Sequence, residues 1–121
     1  MLLCDFAALG PAARSMLDAG ALSEQSMAQG HAMLAVSQTI TGDKKSAAES
    51  FLQSEFYADQ IRNDYDRIDA LRTLSLCNFI AGEEKKAESF AMEGMSLGLR
   101  HSCYFPTFTL AMVLVLELVL V

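Results

Sequence analysis

A chain of 121 residues that is 52% hydrophobic and 20% charged can bury a core without metals or disulfides, which excludes intrinsic disorder and fits one domain. Its net charge of −6 and pI near 4.7 exclude a phosphate-neutralising surface. The basic doublets Lys44-Lys45 and Lys85-Lys86 sit among acidic or small polar residues, so neither nucleic acid nor an anionic membrane is an expected partner.

The amino-terminal stretch MLLCDFAALG has no basic region, and Asp5 interrupts its apolar run, so it reads as the start of an amino-terminal helix over residues 1–22 and not as a signal peptide. Ser23 then caps a helix with Glu24 and Gln25 in its first turn. Met27, His31 and Leu34 form one stripe of that helix, with Ala28, Ala32 and Ala35 beside it, and Gly42 ends it. Asp43 caps the next helix, in which Ala47, Ala48, Phe51, Leu52, Ala58 and Ile61 recur at helical spacing. Asn63-Asp64 punctuates. A third helix carries Tyr65, Ile68, Leu71, Leu74, Asn78 and Phe79 and stops at Gly82. The fourth runs from Glu83 to about Leu99 with Ala87, Phe90, Ala91, Gly94 and Met95 turned inward. Residues 100–106 connect to a last helix capped by Thr107. From Phe108 to Val121 that segment is apolar except at Thr109 and Glu117, which is too short and too acidic for a bilayer span of about 20 apolar residues. The alternating Val and Leu of its second half also fit a β-strand.

The two glycine turns repeat. Gly42-Asp43-Lys44-Lys45 leads into Ala48-Glu49-Ser50-Phe51, and Gly82-Glu83-Glu84-Lys85-Lys86 into Ala87-Glu88-Ser89-Phe90. The glycines are 40 residues apart and the Ala-Glu-Ser-Phe blocks 39, a repeat with a one-residue slip. Periods of this size belong to stacked helical pairs, each of which must cover its neighbour's apolar face. Forty residues beyond Tyr65, Ile68, Leu74 and Ile80 stand Phe105, Phe108, Leu114 and Leu120, all apolar. The expected organisation is therefore repeat 1 over 23–63, repeat 2 over 64–103, and the first helix of a third, incomplete repeat over 104–121.

This pattern resembles the tetratricopeptide repeat. A small residue five positions after the turn glycine is matched by Ala47 and Ala87. The bulky residue four further on is matched by Phe51, although the second copy has Ala91 there and Phe90 before it. Leu34-Ala35 and Leu74-Ser75 match the leucine and small residue of the first helix. The early tryptophan is replaced by His31 and Leu71, and the tyrosine after the turn by Lys44 and Glu84. The long period is similar to that in LuxR-type bacterial regulators. The resemblance implies an all-α fold of antiparallel hairpins stacked as a short α-solenoid, wound as a right-handed superhelix, that binds proteins and has no enzymatic activity. Its concave groove maps by position onto Gln29, Ala32, Val36 and Thr39 in one copy and Asp69, Arg72, Leu76 and Phe79 in the other. A peptide or partner helix would lie there. The alternative is a structural or oligomerisation segment, in which the apolar docking end Phe108, Met112, Leu116 and Val119 meets another subunit or further repeats.

Chemistry is sparse. Cys4, Cys77 and Cys103 have no Cys-x-x-Cys spacing and read as reduced thiols of a cytoplasmic protein, Cys77 as a buried one. His31 has no ligand four residues away, so no zinc site is expected. His101 and Cys103 are neighbours in a loop without an orienting third group, which does not make a nucleophile. Asp64, Asp66 and Asp69 fail the calcium-loop pattern, because Ile68 stands at its fifth position and Asp69 where glycine is needed. They read as carboxylates placed against a helix dipole. No cofactor or metal is expected.

Overall fold

The computed structural model describes residues 6–19 and 23–101, and every regular element among them is helical: α1 (Phe6–Asp18), α2 (Glu24–Ile40), α3 (Lys44–Asp59), α4 (Asp64–Ile80) and α5 (Glu84–Arg100). The expected third-repeat helix over 104–121, Cys4, Cys103 and the docking residues Phe108, Met112, Leu116 and Val119 lie outside the described residues.

Local chemistry sets each boundary. The hydroxyl of Ser23 accepts from the amide of Ser26, the Asp43 carboxylate from that of Ser46, and the Asn63 side chain from those of Tyr65 and Asp66. These acceptors satisfy amides that have no partner within a helix. At the other end, α2 and α4 close in the same way. Gly42 and Gly82 have φ of 88° and 85°, conformations that side chains with a Cβ resist. The amides of Asp43 and Glu83 then reach back to the carbonyls of Gln38 and Asn78 at 2.9 and 2.8 Å.

The two hairpins are equivalent at a spacing of 40 residues throughout. Helix α2 begins and ends 40 residues before α4, and the caps Ser23 and Asn63 and the closures at Thr41 and Ala81 keep that spacing. In α3 the buried positions include Ala47, Phe51, Ser54 and Ala58; in α5 they are Ala87, Ala91, Gly94 and Gly98. The one-residue slip expected from the Ala-Glu-Ser-Phe blocks is therefore absent from the fold. Phe90 shares a sequence block with Phe51 but occupies the place of Ser50, and Ala91 takes the place of Phe51. Two residues expected inside are also outside: Leu52 is 62% exposed and Tyr65 57%.

Helix α2 is central. It pairs with α3, lies along α4 and is covered by α1, while α4 pairs with α5 and meets α3 over a short contact. One core cluster takes Ala28, Ala32, Ala35 and Val36 from α2, Phe51 and Ala58 from α3, and Ala70, Leu74 and Cys77 from α4. Alanines at the crossings let the helix backbones approach closely, and Phe51, Leu71 and Leu74 supply the bulk. Full burial of a leucine such as Leu74 contributes about 2 kcal/mol.

Helix α1 runs antiparallel to α2. A Cβ added at Gly10 would lie 2.5 Å from Ser37 Oγ, and one added at Gly30 would lie 2.8 Å from Leu17 Cδ2. Forty residues beyond Gly30 and Ser37 stand Ala70 and Cys77, which lie in the core shared with α2. Helix α1 thus takes the place on α2 that α2 takes on α4, in the opposite direction.

Candidate partner-binding surface

The contact between α2 and α4 fixes the register of every residue that could meet a partner. The Gln25 and Gln29 amides donate to the Asp69 carboxylate, and Gln29 also reaches Thr73 Oγ1 at 3.1 Å. The two helices are therefore parallel, with each α2 residue facing the α4 residues 40 and 44 further on. On α2 this side is the stripe Gln25, Gln29, Ala32 and Val36, residues that share a helix face.

Three of the four groove residues expected on α2 belong to that stripe. Ala32 and Val36 are 0 and 1% exposed in the core, so they pack between repeats and offer no surface; the expectation that they line an open groove is corrected. Gln29 is half-buried and occupied by α4. Thr39 bonds the Ala35 carbonyl at 2.8 Å and lines a cleft of 210 Å³ with Lys44, Ala47, Ala48, Phe51, Ala81 and Glu83, between the two glycine turns.

The matching residues of α4 are placed differently. Tyr65, Asp69, Arg72 and Leu76 form the stripe 40 residues beyond Gln25, Gln29, Ala32 and Val36. Leu76 is 42% exposed and Tyr65 57%, and Asp69 and Arg72 are half-buried and paired with each other. Phe79 is half-buried. Among the described residues, no helix covers this stripe as α4 covers its counterpart on α2.

A second exposed set runs along both helices. Ile40 and Ile80 occupy equivalent positions at the ends of α2 and α4 and are 50 and 43% exposed. Each lies two helical turns beyond a half-buried residue of the same face, Met33 and Thr73. The homologous-position count passed over this set because it started one residue away on the helix. The signal was present in the sequence, as an isoleucine two residues before each turn glycine.

The titratable groups are held in structural pairings. His31 stacks on Tyr57 with ring centroids 5.7 Å apart, and burial lowers its pKa. Cys77 lies in the core, where desolvation pushes its thiol up to about 12 and makes it a poor nucleophile at neutral pH. His101 Nε2 lies 2.8 Å from Asp64 Oδ2, and its ring packs against Tyr65 at 5.1 Å. Asp64 and Asp69 thus face different partners, and no group of three metal-ligating side chains converges among the described residues. No described helix is long and apolar enough to cross a membrane.

Compared with protein-family models, with curated proteins and with solved structures, the chain matches none.

Proposed function

We propose that this chain is a protein-binding module of stacked helical hairpins, wound as a right-handed superhelix of the tetratricopeptide kind, and that it binds without catalysing a reaction. The peptide or partner helix lies across the exposed side of α2 and α4, with apolar side chains against Ile40 and Ile80. The observation carrying this reading is that two equivalent isoleucines on parallel helices stay half exposed on a side lined also by Met33 and Thr73. Repeated apolar positions at a fixed interhelical spacing suit a ligand with regularly spaced anchors. Reduced thiols suit a cytoplasmic setting.

Peptides selected by display against the full chain give the test. Ile40→Lys and Ile80→Lys are each expected to weaken the selected peptide at least about tenfold with thermal stability unchanged, a loss of ~1.4 kcal/mol in binding. Binding that is indifferent to both substitutions removes this surface.

A second reading, an assembly element, rests on the outer side of the second helices. Leu52 and Met92 occupy equivalent positions there and are 62 and 57% exposed, with Phe56 and Leu99 also exposed on α3 and α5. Such a patch fits a second subunit. A monomer by light scattering at high concentration eliminates that role.

A further inference from the structure

We infer that the open stripe of α4 is the seat of this chain's own segment 104–121, held in register by a pairing of Arg72 with Glu117. Where α2 meets α4, the α4 residues facing α2 include Asp69, Ala70, Thr73 and Cys77, through hydrogen bonds or a shared core cluster. Forty residues on, the same positions of the segment are Thr109, Leu110, Val113 and Glu117. From Phe108 to Val121 the only polar residues are Thr109 and Glu117, and both fall on this one face.

The polar groups of the stripe match them. Gln29, bonded to Asp69 in the first pairing, is succeeded by Asp69, and Asp69 is succeeded by Thr109, a hydroxyl that can donate to the carboxylate. Ala32 and Cys77 share the core cluster, and forty residues beyond them stand Arg72 and Glu117. Two small neutral residues in one layer are thus replaced by a cation and an anion in the next. Arg72 already holds the Asp69 carboxylate, and a guanidinium has donors left for a second acceptor.

The path of the chain favours the same occupant. Helix α5 ends at Arg100, and His101 is fixed beside Asp64 and Tyr65, at the first turn of α4 where the open stripe begins. Residue 104 stands to this exit as Asp64 stands to the end of α3. Eighteen residues of helix reach about 27 Å, close to the span of the 17-residue α4. A bilayer or an unrelated apolar surface would have no use for two polar residues on the docking face. The residues Phe108, Met112, Leu116 and Val119 turn away from α4 in this arrangement.

Charge exchange in the full chain tests the pairing, independently of what the surface around Ile40 and Ile80 binds. Arg72→Glu and Glu117→Arg are each expected to lower the urea midpoint, and the double exchange to recover most of the loss, with a monomer by light scattering and a midpoint unchanged over a hundredfold range of protein concentration. Hydrogen exchange on the unmodified protein provides a reading even if a reversal fails to fold. Peptides covering 109–117 are expected to be protected, and the milder Arg72→Gln to lower that protection about tenfold while α1 keeps its own. Unprotected peptides, or losses that add without recovery, overturn the proposal. Recovery confined to a dimer gives the stripe to a second copy and overturns it equally.

Discussion

Asn78 shows how a repeat stays in register while its contacts change. In the first hairpin, Gln38 Oε1 accepts from the buried hydroxyl of Ser50 at 2.7 Å. Forty residues on, these positions hold Asn78 and Phe90, and Phe90 has no hydroxyl to give. Asn78 is 1% exposed; its amide donates to the Leu74 carbonyl at 2.7 Å, and its Oδ1 has no hydrogen-bond partner. A buried acceptor without a donor costs about 1–3 kcal/mol, which offsets the packing that the side chain supplies. Asn78→Ala should therefore change unfolding free energy by less than about 1 kcal/mol. Leu74→Ala, equally buried but fully apolar, should cost about 2–5 kcal/mol. Urea denaturation of the two variants measures the contrast, and equal losses would show that Oδ1 is satisfied in solution.

Between elements, Arg67 does what apolar packing does elsewhere. Helix α3 meets α4 over only a short contact, and the guanidinium of Arg67 bridges it. It donates to the Ala58 carbonyl at 2.6 Å, near the end of α3, and to the Glu93 carboxylate of α5. A cation at the negative end of a helix is favourably placed. The arginine side chain is 20% exposed and Glu93 44%, so solvent discounts the ion pair and the carbonyl bond is the larger part. Arg67→Ala should cost about 1–3 kcal/mol, whereas Glu93→Gln should cost under about 1 kcal/mol; thermal melts of both variants check the order. The elements themselves were legible in the sequence. Ser23, Asp43 and Asn63 mark the helix starts, and the two turn glycines mark the ends, because caps and left-handed turns need particular residue types. The helix faces were less legible. Ala32 and Val36 suit a core and a groove equally well by composition, and only the side-chain bonds of Gln25 and Gln29 to α4 decide between them. The Ala-Glu-Ser-Phe blocks suggested a slip because similar words in a sequence need not occupy similar places in a fold.

For the molecule as a whole, one buried imidazole links stability to pH. Burial lowers the His31 pKa below its ordinary value of 6.5, so the unfolded chain takes up a proton more readily than the folded one. The sign follows directly: the His31 contribution is complete above pH 6.5 and is lost as pH falls through the lowered folded value. Stability should decline from pH 7 toward pH 5, and His31→Phe, which keeps a ring against Tyr57, should flatten that part of the profile. An unchanged slope in the variant would assign the decline to other groups.

The direction of α1 has a consequence for how such a chain can lengthen. Every further layer needs an uncovered first helix on which a like-oriented neighbour can settle. On α2 that site is filled by a helix pointing the wrong way to propagate the series, and on α4 the corresponding site is vacant among the described residues. Elongation is thus polarised: duplicated hairpins inserted after α5 would find a template, whereas the same hairpins inserted before α2 would first have to evict α1.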